Sequence, residues 1–162
     1  MKKLILALLL IAIPVIAAEQ TIDNILVEKS VRKMYLRQGG KNIKEYTIRL
    51  GSNPTGHKEQ EGDGKTPEGK YTISGRNPKS AYHLSLRISY PNAADKKRAA
   101  LKKVSPGGDI MIHGYPNYAP NGIFDVIHNN YDWTEGCIAV TDKEIEEIWK
   151  LVSDGTPIVI KP

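Results

Sequence analysis

The sequence predicts one mainly β domain carrying two helices. Three observations support that reading. Short β-branched and aromatic runs recur between turns rich in glycine, asparagine and proline, and the clearest of them alternates with a two-residue period. Helical signals are confined to 93–103 and to a segment opening at Thr141. The chain has 162 residues, 40% hydrophobic and 25% charged, which is the size and balance of a single globular unit.

The N-terminus reads as an address. Lys2 and Lys3 are followed by an unbroken apolar run, 4–13, then Pro14 and the small residues Ala17 and Ala18. This is the three-part pattern of a secretory signal peptide, expected at 1–18, with the domain at 19–162. The apolar run is too short to anchor in a bilayer, so no stable membrane span is expected after cleavage. No cysteine follows it to carry a lipid. The expected location is across the inner membrane, in the periplasm or cell wall. Lys plus Arg number 23 against 18 Asp plus Glu, a net charge of +5 that falls to +3 without Lys2 and Lys3. Such mild basicity suits an anionic polymer and is too weak to imply nucleic acid.

Strands are expected at 25–27, 31–36 and 43–50, the last two joined by a turn over Gly39, Gly40, Lys41 and Asn42. Tyr46, Ile48 and Leu50 alternate with Thr47 and Arg49, as in a half-buried strand. The glycine-rich stretch 51–69 reads as a long ordered loop. Further strands are expected at 71–74, 83–89 and 110–113, with a helix over 93–103 before Pro106, Gly107 and Gly108. Thr141 and Glu144 have capping-box spacing, and Ile145, Ile148, Trp149 and Val152 follow on one helical face. A strand over 157–160 ends the domain.

Cys137 is the sole cysteine, so it forms no internal disulfide. It lies in or beside a turn leading into the capped helix. Gly136 before it frees the backbone, leaving N–H groups to face a developing oxyanion. A thiol there still needs a base. His57, His83, His113 and His128 all precede Cys137, and no arginine follows Arg98. That order excludes simple matches to papain-like enzymes and to sortases. His113 is the better base candidate, since it ends an apolar strand and Gly114 opens a turn after it. His128 reads as a loop residue.

These residues resemble a known family. His113 and Gly114, then Thr134, Gly136, Cys137 and Ile138, are similar to the signature of the L,D-transpeptidase catalytic domain, the YkuD family. Thr66, Pro67 and Gly69 resemble that family's Thr-Pro-x-Gly turn. The resemblance covers 25–162. It implies a β-sandwich-like L,D-transpeptidase domain, with no cofactor and no metal. It implies Cys137 as nucleophile, His113 as general base and Gly114 as the residue whose carbonyl orients the histidine. Gly136 and Cys137 would supply oxyanion N–H groups, and Thr134 would shape the turn. The implied substrate is the tetrapeptide stem of peptidoglycan. Cys137 would attack the carbonyl of its third residue, release D-alanine and hold a thioester. A stem amine, the lysine of a wall-linked protein or water would then resolve it. Two departures stand out. Ala139 occupies a position often held by Arg or Asn, so a substrate carboxylate needs another partner, with Arg76, Arg87 and Lys58 as candidates. The 24-residue spacing from His113 to Cys137 is long, and its insert carries Tyr115, Tyr118, Phe124 and Tyr131, suited either to a substrate groove or to packing the loop.

Two other readings compete. His57, Asp63 and His113 could ligate zinc in a peptidase. A basic, aromatic surface would also suffice for a non-catalytic wall-binding module.

Overall fold

The computed structural model describes residues 21–119 and 122–162, so the signal peptide expected at 1–18 lies outside the described residues. Eight strands build the domain: β1 (Asn24–Glu28), β2 (Lys33–Gln38), β3 (Lys41–Thr47), β4 (Gly69–Ser80), β5 (His83–Ile88), β6 (Met111–His113), β7 (Ile138–Ala139) and β8 (Pro157–Lys161). Helices α1 (Ala93–Leu101), α2 (Ile123–Asn130) and α3 (Asp142–Leu151) complete it. The strands form one mixed sheet in the order β3-β2-β1-β8-β4-β5-β6-β7.

Two-residue alternation sets which face each strand buries. Ile25 and Val27 of β1, Met34 and Leu36 of β2, and Ile158 and Ile160 of β8 all point into the core. The β2–β3 connection is tighter than the sequence suggests. Only Gly39 and Gly40 lie between the strands, both at positive φ, which suits a two-residue hairpin. Strand β4 serves both halves of the sheet. Its first residues pair with β8, and those from Ile73 onward pair with β5 after a register shift. Arg49, just past β3, bridges Ala139 of β7, so the two ends of the sheet curl toward each other without closing.

Helix α3 follows from its sequence. The Thr141 side chain accepts from the Glu144 N–H (3.3 Å), and the Glu144 carboxylate accepts from the Thr141 N–H (2.8 Å). Its inner face buries Ile145 and Ile148 against β5 and β6, each contributing about 1.5–3 kcal/mol.

Among the described residues three helices rather than two are present. The extra one, α2, occupies the insert and includes His128, which the sequence places in a loop. Its start carries no side-chain cap, because Gly122 stands at the N-cap, so the usual opening signal is missing. Strand β7 also escapes the sequence reading. Two residues hold no period, and pairing with β6 is what makes them a strand.

Candidate active site

Cys137 stands immediately before β7, at the end of a loop that its neighbours hold firmly. Asp132 starts that loop. Its carboxylate accepts a bidentate pair from Arg32 (2.6 and 3.1 Å) and the Leu50 N–H (3.0 Å). Thr134 follows, with its backbone bonded to both Leu50 and Ser52. The Thr134 hydroxyl donates to the Cys137 carbonyl (2.8 Å) and accepts from the Gly136 N–H (3.1 Å), closing the turn on itself. Gly136 adopts φ +129, and a Cβ there would lie 2.6 Å from the Lys65 carbonyl oxygen. Only glycine fits.

The half-buried Cys137 sulfur lies 3.4 Å from the Asp109 carbonyl oxygen, with the Met111 N–H also directed at it. Burial pushes its pKa up, and the Met111 N–H offsets this only in part. The resting group is therefore a thiol that needs a base.

His113 ends β6, the strand that runs parallel to β7, and the register pairs it with Ala139, two residues beyond Cys137. Its Nδ1 lies 2.7 Å from the Gly114 carbonyl oxygen. A carbonyl only accepts, so Nδ1 carries the proton and Nε2 presents a lone pair. Burial depresses the His113 pKa to about 4, against the weaker opposing pull of the Gly114 carbonyl. The ring is thus neutral at pH 7. Tyr82 and Trp133 flank it, with centroids at 4.5 and 5.6 Å. Gly114 sits close under its neighbours: a Cβ there would come 2.5 Å from Asp142 Oδ1 and displace that side chain from the Tyr115 N–H.

The family model described as L,D-transpeptidase catalytic domain, YkuD, matches residues 23–160, which include the whole of this arrangement. The chain belongs to the L,D-transpeptidase (YkuD) family.

Individual relatives agree. The chain is 30% identical over 135 residues to the Escherichia coli K12 protein named as an L,D-transpeptidase, YafK, covering 80% of this chain and 46% of the relative. Among solved structures it is similar to the helical cell shape determining protein Pgp2 of Campylobacter jejuni, in a mutant form (27% identity, TM-score 0.63, covering 88% of this chain and 48% of that one). It is also similar to Bdellovibrio bacteriovorus Bd1075 (28% identity, TM-score 0.58, covering 88% and 51%). The chain thus spans about half the length of each of these relatives.

Within this L,D-transpeptidase-family domain, the five residues singled out by the motif come together: Thr134, Gly136 and Cys137 on one loop, His113 and Gly114 on the adjoining strand end. The Gly136 N–H is held by Thr134, whereas the Cys137 N–H has no hydrogen-bond partner among the described residues. The other titratable candidates go elsewhere. His57 Nδ1 accepts the Glu68 N–H (2.9 Å), and its Nε2 sits 3.1 Å from Asp95. Asp63 staples the glycine-rich loop. Burial opposes its ionisation, yet Lys58 and the N–H groups of Glu59, Gln60 and Lys65 hold its pKa down to about 2. His57, Asp63 and His113 do not converge, and among the described residues no three His, Cys, Asp or Glu side chains are grouped to hold a metal ion. His128 is buried and accepts from Trp133 Nε1 (3.4 Å), pinning α2 to the loop that carries Cys137. Tyr115 and Phe124 pack in the same cluster, with Phe124 at 4.9 Å from the Trp133 ring, so half of the insert's aromatics support the loop. Tyr118 and Tyr131 face solvent.

Sequence reasoning passed over Tyr82 and Asp109 as site residues. Tyr82 reaches His113 from the β4–β5 turn, and only pairing of β5 with β6 reveals that. Asp109 leaves one signal, its place after Gly107 and Gly108 just before the strand that carries His113.

Proposed function

We propose that the domain is a cysteine-dependent L,D-transpeptidase acting on the tetrapeptide stems of peptidoglycan. The observation that carries this reading is the β6–β7 ladder, which sets a neutral, correctly protonated His113 beside the Cys137 segment in a chain of this family.

Both groups rest uncharged near pH 7. His113 Nε2 accepts the thiol proton as Cys137 Sγ bonds to the third-residue carbonyl carbon. The carbonyl π electrons move to oxygen, and the free Cys137 N–H faces that oxyanion. The oxyanion collapses, the peptide C–N bond breaks, and imidazolium returns the proton to the departing D-alanine amine. A thioester remains. In the second half, His113 removes a proton from the incoming amine or water as its nitrogen or oxygen bonds to the thioester carbonyl carbon; the tetrahedral oxyanion collapses, the C–S bond breaks, and the proton returns to sulfur. The Nδ1–H held by Gly114 keeps Nε2 aimed at this work throughout.

The preferred acceptor is an amine, either of a second stem or of a wall-linked protein lysine. Hydrolysis, giving an L,D-carboxypeptidase, is the second reading. It draws support from the likeness to Pgp2, a protein named for determining helical cell shape. The leader at 1–18 would deliver the domain to the periplasm. Among the described residues, no helix is long and apolar enough to cross a membrane.

The test is mass spectrometry of purified tetrapeptide muropeptides after incubation with wild type, with Cys137→Ala and with chelator-treated wild type. D-alanine release by the first and third alone is the expected result. A dimer product means cross-linking, and a tripeptide monomer means hydrolysis. Release by Cys137→Ala overturns the thiol mechanism.

A further inference from the structure

Helix α2 carries apolar side chains on two faces. Its inner face seats Phe124 and His128 against Trp133. Its outer face presents Ile123, Val126 and Ile127, which are 62%, 63% and 37% exposed. Spaced three and four residues apart, they form one ridge along the helix. Tyr131, just past the helix, and Val31, in the turn between β1 and β2, are 66% and 57% exposed. An exposed apolar patch of several hundred Å² marks a contact surface.

The ridge borders a cleft of about 410 Å³ lined by Val31, Arg32, Arg49, Asn129, Asn130 and Tyr131 among others. Two guanidinium groups therefore stand at the C-terminal end of α2, where Arg49 donates to the His128 and Asn129 carbonyls. The exposed Asp125 stands in the first turn, with one carboxylate oxygen on the Tyr115 hydroxyl (2.8 Å). Ridge and negative charge lie toward the start of the helix, cleft and positive charge at its end. Such a face is complementary to itself when reversed.

We propose that this face is the contact surface of a homodimer in which two α2 helices pack antiparallel about a two-fold axis. A two-fold axis requires every contact to occur twice, and antiparallel packing meets that requirement here. Ile123 and Val126 of one copy enter the cleft beside the partner subunit's Asn129, Asn130 and Tyr131, and Asp125 comes opposite the partner subunit's Arg49. The axis passes over the helix midpoint, between Val126 and Ile127. Four aliphatic side chains and one tyrosine contribute roughly 300–400 Å² of apolar surface per copy. With the polar rim of the cleft the contact reaches about 600–800 Å² per copy, the lower edge of a standard interface. A reversible dimer with a Kd on the order of 10 μM follows. Asp125 and the two asparagines suit a protein partner better than a bilayer, which would leave them unpaired. The contact also backs the aromatic cluster beside His113, because Trp133 packs on both Phe124 and that ring. The inference stands independently of the peptidoglycan reading.

The experiment is sedimentation velocity on residues 19–162, which contain the whole hydrophobic core. Wild type is expected to pass from monomer to dimer across about 1–200 μM, a range that brackets the expected Kd. Val126→Glu is expected to weaken the dimer by more than about 100-fold, since it buries two like charges at the axis. Leu101→Glu, at an apolar residue of α1 that is 77% exposed, is expected to leave the dimer unchanged. Circular dichroism checks that each variant is folded. Cross-linking with diamide in a Cys137→Ala background then tests the axis. Val126→Cys is expected to join to its own copy. Ile123→Cys is not, because antiparallel helices hold the two 123 positions about 10 Å apart along the axis, beyond disulfide reach. A wild type that stays monomeric throughout overturns the inference, whether or not it binds phosphatidylglycerol vesicles through the same face. A dimer that survives Val126→Glu overturns the assignment to α2. Cross-linking at 123 and not at 126 overturns the antiparallel arrangement.

Discussion

Thr134→Val removes one hydroxyl and nearly nothing else. Valine has the same shape, so no cavity forms, but two hydrogen bonds go. The Gly136 N–H (3.1 Å) and the Cys137 carbonyl (2.8 Å) lose their common partner. Thr134 and Gly136 are both buried. Leaving a buried polar group unpaired costs about 1–3 kcal/mol. Glu135 next to them is exposed, and water reaching one of the two groups lowers the sum. A destabilisation of about 2–4 kcal/mol is expected. Thr134→Ser keeps the hydroxyl and loses one methyl, worth about 0.8 kcal/mol. Denaturant titration of wild type and both variants measures the difference, and D-alanine release under native conditions reads the effect on the site. Valine is expected to slow release by more than tenfold, because the freed carbonyl and N–H no longer fix the Cys137 backbone. Equal destabilisation by valine and serine, or a valine variant within about 0.5 kcal/mol of wild type, would refute the hydroxyl's role.

Other perturbations probe the same frame. Gly114→Ala brings a Cβ to 2.5 Å from Asp142 Oδ1, so the Asp142 side chain must swing away and give up the Tyr115 N–H; a loss of about 1–3 kcal/mol in urea titration is expected. Asp132→Asn weakens the grip of Arg32 on the catalytic loop and is expected to lower kcat more than it raises KM, which steady-state kinetics resolves. Acid should weaken the fold. His113 and His128 both have pKa values depressed to about 4, against about 6.5 when unfolded. Their neutral forms stabilise the fold fully above pH 6.5, and that contribution is lost as pH falls from 6.5 to 4, by about 3 kcal/mol for each. Urea titrations at pH 7, 6, 5 and 4 measure this, and a flat profile would show that the two rings are not buried neutral. Alkylation of Cys137 by iodoacetamide should be slower at pH 7 than that of a free thiol and rise with pH, since burial raises the thiol pKa; an unfolded control in urea supplies the comparison.

The parts of this protein that were legible in sequence are those that short range decides. The α3 cap needs only Thr141 and Glu144, three residues apart, and the helix starts where that box predicts. The β1, β2 and β8 strands are short runs of aliphatic, β-branched and aromatic residues bounded by turn residues, and that local composition reveals them. The glycine at 136 follows from its turn. The motif residues Thr134, Gly136, Cys137, His113 and Gly114 stand out by type and order alone, and the β6–β7 ladder brings their segments side by side.

The rest depended on contacts between distant segments. Helix α2 lacks a cap and is held by the packing of Phe124 and His128 against Trp133, so nothing local announces it. Strand β7 is two residues long and exists through β6. The partition of Arg76, Arg87 and Lys58 is clearest of all. As sequence they are three cations of like charge, yet one is buried in a loop, one is spent on a helix end and one stands at the surface paired with Asp109. The sequence by itself determined which groups bring chemistry, because residue type sets what a side chain can donate, accept or attack. Only the tertiary structure decided which of them face one another, because a parallel ladder that pairs residues 26 apart, and the burial it creates, set both the neighbours and the protonation state of His113.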